Sequence, residues 1–329
     1  MLPSRPQLTS AVRDFRDALL AGRDATESGR KLFSKLFGKL SSRVHACRDW
    51  VLVLDDVLFE IPFGALPDGN QYAVERHTFR TRPSGFMQGD SAPAERHNAF
   101  LAVADPVYNA ADPRGRRRAP AASALAAQAA PIAAQLELAR IPASSIEARR
   151  CAREWNLGAA TVLTGPEVTR ARLEAELRRR PASLHLAVHI VSSADSERAL
   201  IGLGLDESGQ PDFLDALEIS RKRYGVPMVV LSGCSSGRGR AVSGAGLTGL
   251  TRAWLLSGSR TVIASHWPTA DDTGELFTAF YHAVGRLPEP LSARSCARAL
   301  RAAQLEMLNS GSWRAQPRYW AAFFVSGRD

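Results

Sequence analysis

From residue 144 onward, short apolar runs alternate with amphipathic stretches, and this alternation restricts the chain more than any other feature. The runs "ATVLTG" (160–165), "SLHLAVHI" (183–190), "MVVLSG" (228–233) and "RTVIASHW" (260–267) are aliphatic and β-branched, and strand-length. Between them lie "SSIEARRCAREW" (144–155), "VTRARLEAELRRR" (168–180), "LDALEISRKRY" (214–224) and "LTGLTRAWLLSG" (247–258), which carry helical periodicity. Strands that are continuously apolar are covered on both faces. Strand–helix–strand order builds parallel βαβ units. The expected architecture is therefore α/β: a mainly parallel sheet flanked by helices in three layers.

The remaining segments extend this scheme. "AVRDFRDALL" and "KLFSKLFGKL" predict helices within residues 1–45. "DWVLVLDD" (49–56) predicts a strand, and Pro67-Asp68-Gly69-Asn70 a turn leading into a strand over Tyr72–Thr81. "AFLAVADP" (99–106) is an apolar run closed by Asp-Pro. Residues 107–140 hold three prolines and many alanines and read as a variable surface loop. Thr164-Gly-Pro-Glu167 reads as a capping box opening the next helix. "ALIGLGLDESGQPDF" (199–213) predicts two short strands, 271–285 and 291–308 helices, and "YWAAFFVSG" (319–327) a last strand. The expected division is a helical segment, 1–45, followed by one domain, 46–329.

Composition narrows the function classes. The net charge of +9 comes from arginines scattered over helical segments, with one dense run, "RGRRR" at 114–118. No aromatic platform accompanies it, so a solvated basic surface is expected and not a nucleic-acid partner. No apolar run reaches the ~18 residues of a membrane span. The N-terminus carries scattered charges and does not read as a secretory signal. The four cysteines (Cys47, Cys151, Cys234, Cys296) form no C-x-x-C pair, which argues against zinc and disulfides and fits a reducing cytosol.

In open α/β sheets the site lies beyond the carboxyl ends of the strands. His189 follows one strand, Ser232-Gly233-Cys234 another, and Ser265-His266-Trp267 a third. A thiol becomes nucleophilic beside a base. The small residues around Cys234 would admit a substrate backbone and free N–H groups for an oxyanion. His185 lies on the same strand as His189 and, by period 2, on the same face; it reads as structural. Cys47, Cys151 and Cys296 fall in helical patterns and read as core residues. Asp56 follows the first strand, either capping a turn or lining a pocket that would favour Arg or Lys in a substrate. Asp271 and Asp272 read as helix N-terminal acids.

The ordered set "DDVLFEIPFGAL", "YAVERH", "VADPVY", "IPASSIEARR", "LHLAVH", "LSGCSSG", "AGLTGLTRAWLLSGSRTVIASHWPTADD", "FTAFYHAVG" and "RYWAAFFVSG" resembles the CHAT domain, a caspase-like peptidase module related to separase and caspases. The resemblance covers residues 30–329 and implies a caspase-like fold. It implies Cys234 as nucleophile, His189 as general base, the N–H groups of Cys234 and Ile190 as oxyanion donors, and Ser265, His266 and Trp267 as cleft lining. No metal or cofactor is needed. It further implies a regulated cysteine endopeptidase acting on a partner protein, with a regulatory protein partner, in bacterial defence or cell death. A gasdermin-like pore former would be one such substrate. In an acidic pocket, the 114–118 run would be a self-processing site. Family members usually carry Thr-His-Gly where this chain has Val188-His189-Ile190. The alternative expectation is a catalytically weak or inactive CHAT-like interaction module.

Overall fold

The computed structural model describes residues 4–82, 98–109, 111–115, 138–192, 199–206, 209–233, 245–269 and 274–328, with 245–248 described by backbone alone. The strands are β1 (Asp49–Leu52), β2 (Pro67–Asp68), β3 (Gln71–Tyr72), β4 (Thr78–Thr81), β5 (Phe100–Pro106), β6 (Ala160–Gly165), β7 (Ser183–Ala187), β8 (Ile190–Ser192), β9 (Ala199–Leu205), β10 (Pro211–Asp215), β11 (Met228–Leu231), β12 (Thr261–Ser265) and β13 (Phe323–Gly327). The α-helices are α1 (Arg5–Leu20), α2 (Thr26–Phe37), α3 (Ser42–His45), α4 (Ala73–Arg76), α5 (Pro142–Glu154), α6 (Arg170–Leu177), α7 (Ala216–Arg221), α8 (Ala245–Leu256), α9 (Gly274–Val284), α10 (Ala293–Leu308) and α11 (Pro317–Trp320).

Eight strands form the central sheet in the order β1-β4-β13-β12-β11-β7-β5-β6. From β12 to β6 neighbouring strands are parallel. β13 runs antiparallel to β12 and parallel to β4, which is parallel to β1. The sheet is thus two parallel blocks of opposite direction joined at β13. β8, β9 and β10 form a separate antiparallel sheet.

Alternate strand residues enter different cores, which is the three-layer arrangement expected from apolar strands. Ala102, Ala104, Met228, Val230 and Ile263 join one core with residues of α1, α2, α5, α9 and α10. Leu101, Val103, Leu184, Leu186, Val229, Leu231 and Val262 join the other with residues of α6, α7 and α8. The N-terminal helices share the first core: Val12, Phe15, Leu32 and Phe33 lie with Trp50, Phe63 and Ile61. Gly29 permits that packing, because a β-carbon there would stand 2.5 Å from Pro67 Cδ and 2.7 Å from the Phe15 ring.

The structure departs from sequence expectation at several places, among them the start of the last strand, where 319–320 still belong to α11 and β13 begins at Phe323. The Tyr72–Thr81 stretch is not one strand: α4 interrupts it, and the Tyr72 N–H donates to Glu75 Oε2 at 2.6 Å. The capping box at Thr164 does not open a helix. Glu167 closes a turn on the Thr164 carbonyl, and α6 starts at Arg170, capped by Thr169 accepting from the Arg172 N–H. β7 stops at Ala187, before His189. Cys47 is exposed, whereas Cys151 and Cys296 are buried.

Because α1 belongs to the sheet's own core, Phe15→Ala is expected to destabilise the whole molecule by about 3–5 kcal/mol. Chemical denaturation should show one cooperative transition, shifted. A separate early transition confined to the helices would show that they are not part of the core.

Candidate active site

β7 and β11 are adjacent and parallel, with Leu231 opposite Leu186. Both strands leave the sheet at the same edge, and backbone contacts hold their continuations together. The Ser232 and Gly233 N–H groups both donate to the Leu186 carbonyl, at 3.0 and 3.2 Å. A β-carbon on Gly233 would lie 1.8 Å from the Val188 oxygen and 2.6 Å from its nitrogen. Only glycine fits that approach. Gly233 directly precedes Cys234 in sequence, and Val188 directly precedes His189. Cys234 itself lies outside the described residues, as do Asp271, Asp272 and Arg116–Arg118 of the basic run.

His189 is buried and held on several sides. Its N–H donates to Tyr108 Oη at 2.9 Å, and the two rings lie 4.8 Å apart. The His189 Nε2 lies 2.7 Å from the Ala139 carbonyl. A carbonyl only accepts, so Nε2 carries the hydrogen, and the neutral ring has its lone pair on Nδ1. The Gly202 N–H donates to the His189 carbonyl at 2.9 Å, and Ile190 stands opposite Ile201. In an antiparallel pair, the position after a bonded pair turns its N–H groups outward, so the Ile190 N–H points away from β9. Ile190 is not among the residues with positive φ. Its extended backbone therefore needs no glycine.

His185 is committed elsewhere. Its Nε2 lies 2.9 Å from Glu147 Oε1 and its Nδ1 lies 3.2 Å from Tyr281 Oη. The Ser232 hydroxyl donates to the same Glu147 oxygen. This buried group ties α5, α9 and the end of β11 together beneath the site. The two histidines do not share surroundings, because β7 ends between them and period 2 no longer applies.

At the end of β12, the Ser265, His266 and Trp267 side chains are all buried. His266 donates from Nδ1 to the Phe59 carbonyl at 2.9 Å and stacks on Phe324 at 4.5 Å. Burial pushes its pKa down to about 3, so the ring is neutral. The Trp267 indole donates to the Arg318 carbonyl at 3.1 Å. Thr269 Oγ1 lies 3.4 Å from the Ser232 carbonyl, joining the ends of β12 and β11. Asp56 is not brought into this group. β1 runs opposite to β12, so Leu52 ends at the other edge of the sheet; the chain then returns, and it is Phe59 that meets His266 while Asp56 stays outside. The Asp56 carboxylate accepts from Arg5 Nε at 2.5 Å at the surface.

Burial pushes the Cys151 thiol well up and the Cys296 thiol to about 12, so neither is a ready thiolate. Among the described residues no cluster of His, Cys, Asp or Glu could hold a metal ion, and no helix is long and apolar enough to cross a membrane. Sequence reasoning missed Tyr108, Ala139, Glu147 and the role of Gly233. A tyrosine just past a strand end was the available signal for Tyr108; a carbonyl that orients a histidine leaves no mark in residue type.

The sequence matches the CHAT domain family over residues 26–328. The chain belongs to the CHAT domain family. A stretch of 117 residues is 31% identical to mouse tetratricopeptide repeat protein 28, covering 35% of this chain but only 4% of that protein's length. Among solved structures, the CHAT chain is similar to the Arg-specific cysteine proteinase gingipain R (TM-score 0.51, 11% identity, 98% of this chain and 75% of that one). A complex of the pro- and mature domains of Porphyromonas gingivalis RgpB aligns at TM-score 0.49 and 9% identity, covering all of this chain and 77% of that one. The CHAT chain thus has the fold of caspase-like cysteine proteinases, with the large mainly parallel sheet flanked by helices.

The packing of the site sets two expected outcomes. Gly233→Ala is expected to lower stability by about 1–3 kcal/mol, because the strand ends must separate; thermal unfolding of the variant measures this. His266 is neutral and buried in the folded state and takes a proton near the ordinary value of 6.5 when unfolded. Unfolding is therefore favoured as pH falls below 6.5, by about 1.4 kcal/mol per unit until about pH 3. His266→Asn removes that titration, so its stability should fall less steeply than wild type over this range.

Proposed function

We propose that this CHAT chain is a cysteine endopeptidase in which Cys234 is the nucleophile and His189 the base. The observation that carries the reading is the pairing of two constraints. The Ala139 carbonyl holds the His189 hydrogen on Nε2, leaving Nδ1 to accept a proton. The backbone contact of Gly233 with Val188 brings the residues preceding Cys234 and His189 against each other.

In this mechanism Nδ1 takes the thiol proton and the thiolate attacks the peptide carbonyl carbon. The resulting oxyanion accepts from the N–H groups of Ile190 and Cys234. The imidazolium then protonates the leaving amine and the C–N bond breaks, leaving an acyl-enzyme. Water, deprotonated by His189, hydrolyses the thioester and restores the thiol. The peptide backbone passes the end of β12 at Ser265–Trp267. The substrate is a partner protein in the cytosol; a gasdermin-like pore former in bacterial defence fits this reading, as does regulation by a protein partner.

The test is cleavage of a peptide library and of a gasdermin-like protein by wild type, Cys234→Ala and His189→Ala. Wild type is expected to cut, with either substitution costing about a thousandfold or more. Iodoacetamide at pH 6.5 should label Cys234 faster than the exposed Cys47. If wild type cuts nothing, Cys234 reacts no faster than Cys47 and peptides still bind, the chain is an interaction module and the peptidase reading falls.

A further inference from the structure

The Ala139 carbonyl orients His189 only if Ala139 is itself held. Residues 138–140 lie in neither helix nor strand. They follow a stretch, 116–137, that lies outside the described residues. Leu138, on one side of Ala139, is buried beside Tyr108, Ile141 and Val191, and its carbonyl lies 3.4 Å from Asn109 Nδ2; Arg140, on the other side, is held by one buried carboxylate at the end of β5. Asp105 is 2% exposed, with φ 45°.

Two guanidinium groups converge on Asp105. Arg140 Nη2 lies 2.9 Å from Oδ2, and its Nε 3.2 Å from both oxygens. Arg114 Nη1 lies 2.7 Å from Oδ2 and Nη2 3.2 Å from Oδ1, and Nη1 also reaches the Asp105 carbonyl at 3.2 Å. The backbone adds a third tie. Ser144 Oγ accepts from the Asp105 N–H at 3.0 Å and donates to the Ile141 carbonyl at 2.7 Å. Arg140 and Ile141, which directly follow Ala139, are thereby referred to β5, the strand that also leads to Tyr108 against His189. Arg114 and Arg140, far apart in sequence, thus share a single carboxylate.

We propose that Asp105 is a positioning residue for His189: through Arg140 it holds the Ala139 carbonyl against Nε2 and so keeps the lone pair on Nδ1. This rests on His189 being the base. A carboxylate–guanidinium fork fixes direction as well as distance, and a positional error of about 1 Å at a catalytic group can cost about a hundredfold in rate. Asp105 does not touch substrate and has no chemical step.

The test is built to survive misfolding and to stand apart from the peptidase reading. Arg140 is half-exposed, with its side chain 51% accessible, and Arg114 still pairs with Asp105 when it is removed, so Arg140→Ala is expected to fold. Side-chain nitrogen NMR on Cys234→Ala protein reads the His189 tautomer without any activity. In Arg140→Ala and Asp105→Asn the Nε2-bound hydrogen should exchange faster and the ring should move toward a mixture of tautomers. Arg140→Lys should restore the signal in part. In active protein, Arg140→Ala should lower kcat about tenfold to a hundredfold with KM within about twofold. Arg294→Ala is the control: its side chain is also 51% accessible and pairs with Asp49 at 2.8 Å, and it should move neither readout. A His189 tautomer and exchange rate unchanged in Arg140→Ala would overturn the proposal, even if the protein cuts peptides. Loss of the signal in a protein that cuts nothing would keep the positioning role and remove the peptidase.

Discussion

The contact between the Gly233 backbone and the Val188 carbonyl allows no side chain between them. Because β7 and β11 are neighbours in register, their continuations must either diverge or touch, and here they touch. Two N–H groups of the β11 exit share the Leu186 carbonyl, so the exit is anchored at the last rung of the ladder. The Ser232 hydroxyl on Glu147 and the Thr269 hydroxyl near the Ser232 carbonyl brace it from below and from β12. The supports around His189 are made on this frame: Tyr108 on its N–H, Ala139 on its ring, Gly202 on its carbonyl.

The electrostatics obey the same division between buried support and reactive edge. Glu147 and Asp105 are both buried carboxylates, and each is surrounded by donors that satisfy it. A buried charge left alone is costly, whereas one held by several donors is a rigid joint. His266 shows the other solution, a ring kept neutral by burial with its one hydrogen spent on a carbonyl.

Strand and helix order, the three layers and the strand-end position of His189 are legible in the sequence, because apolar runs and periodicity report burial directly. Strand direction is not. Nothing in "DWVLVLDD" distinguishes a strand parallel to its distant neighbours from one that opposes them, or shows that the returning chain brings Phe59 and not Asp56 to His266. The end of β7 at Ala187 is hidden for a related reason: "SLHLAVHI" stays apolar across the break, since Val188 and Ile190 are needed by the site and by the smaller sheet. Tyr72–Thr81 resembles a single strand because four residues of helix leave no periodic trace. Residues 138–140 look like the tail of a variable loop, because Ala139 contributes only its carbonyl.

β13 sits between β12 and β4, and its Val325 carbonyl accepts from Thr81 Oγ1 at 3.2 Å. Among the described residues the two blocks of the sheet therefore pair only through residues 323–327, the last of these strands to be synthesised. During translation β1 and β4 must wait for them, and β12 has an open edge until they arrive. Pairings so distant in sequence are slow to form. The block that bears His189 and Gly233 thus gains its outer neighbour only after the other described strands of this sheet have been made.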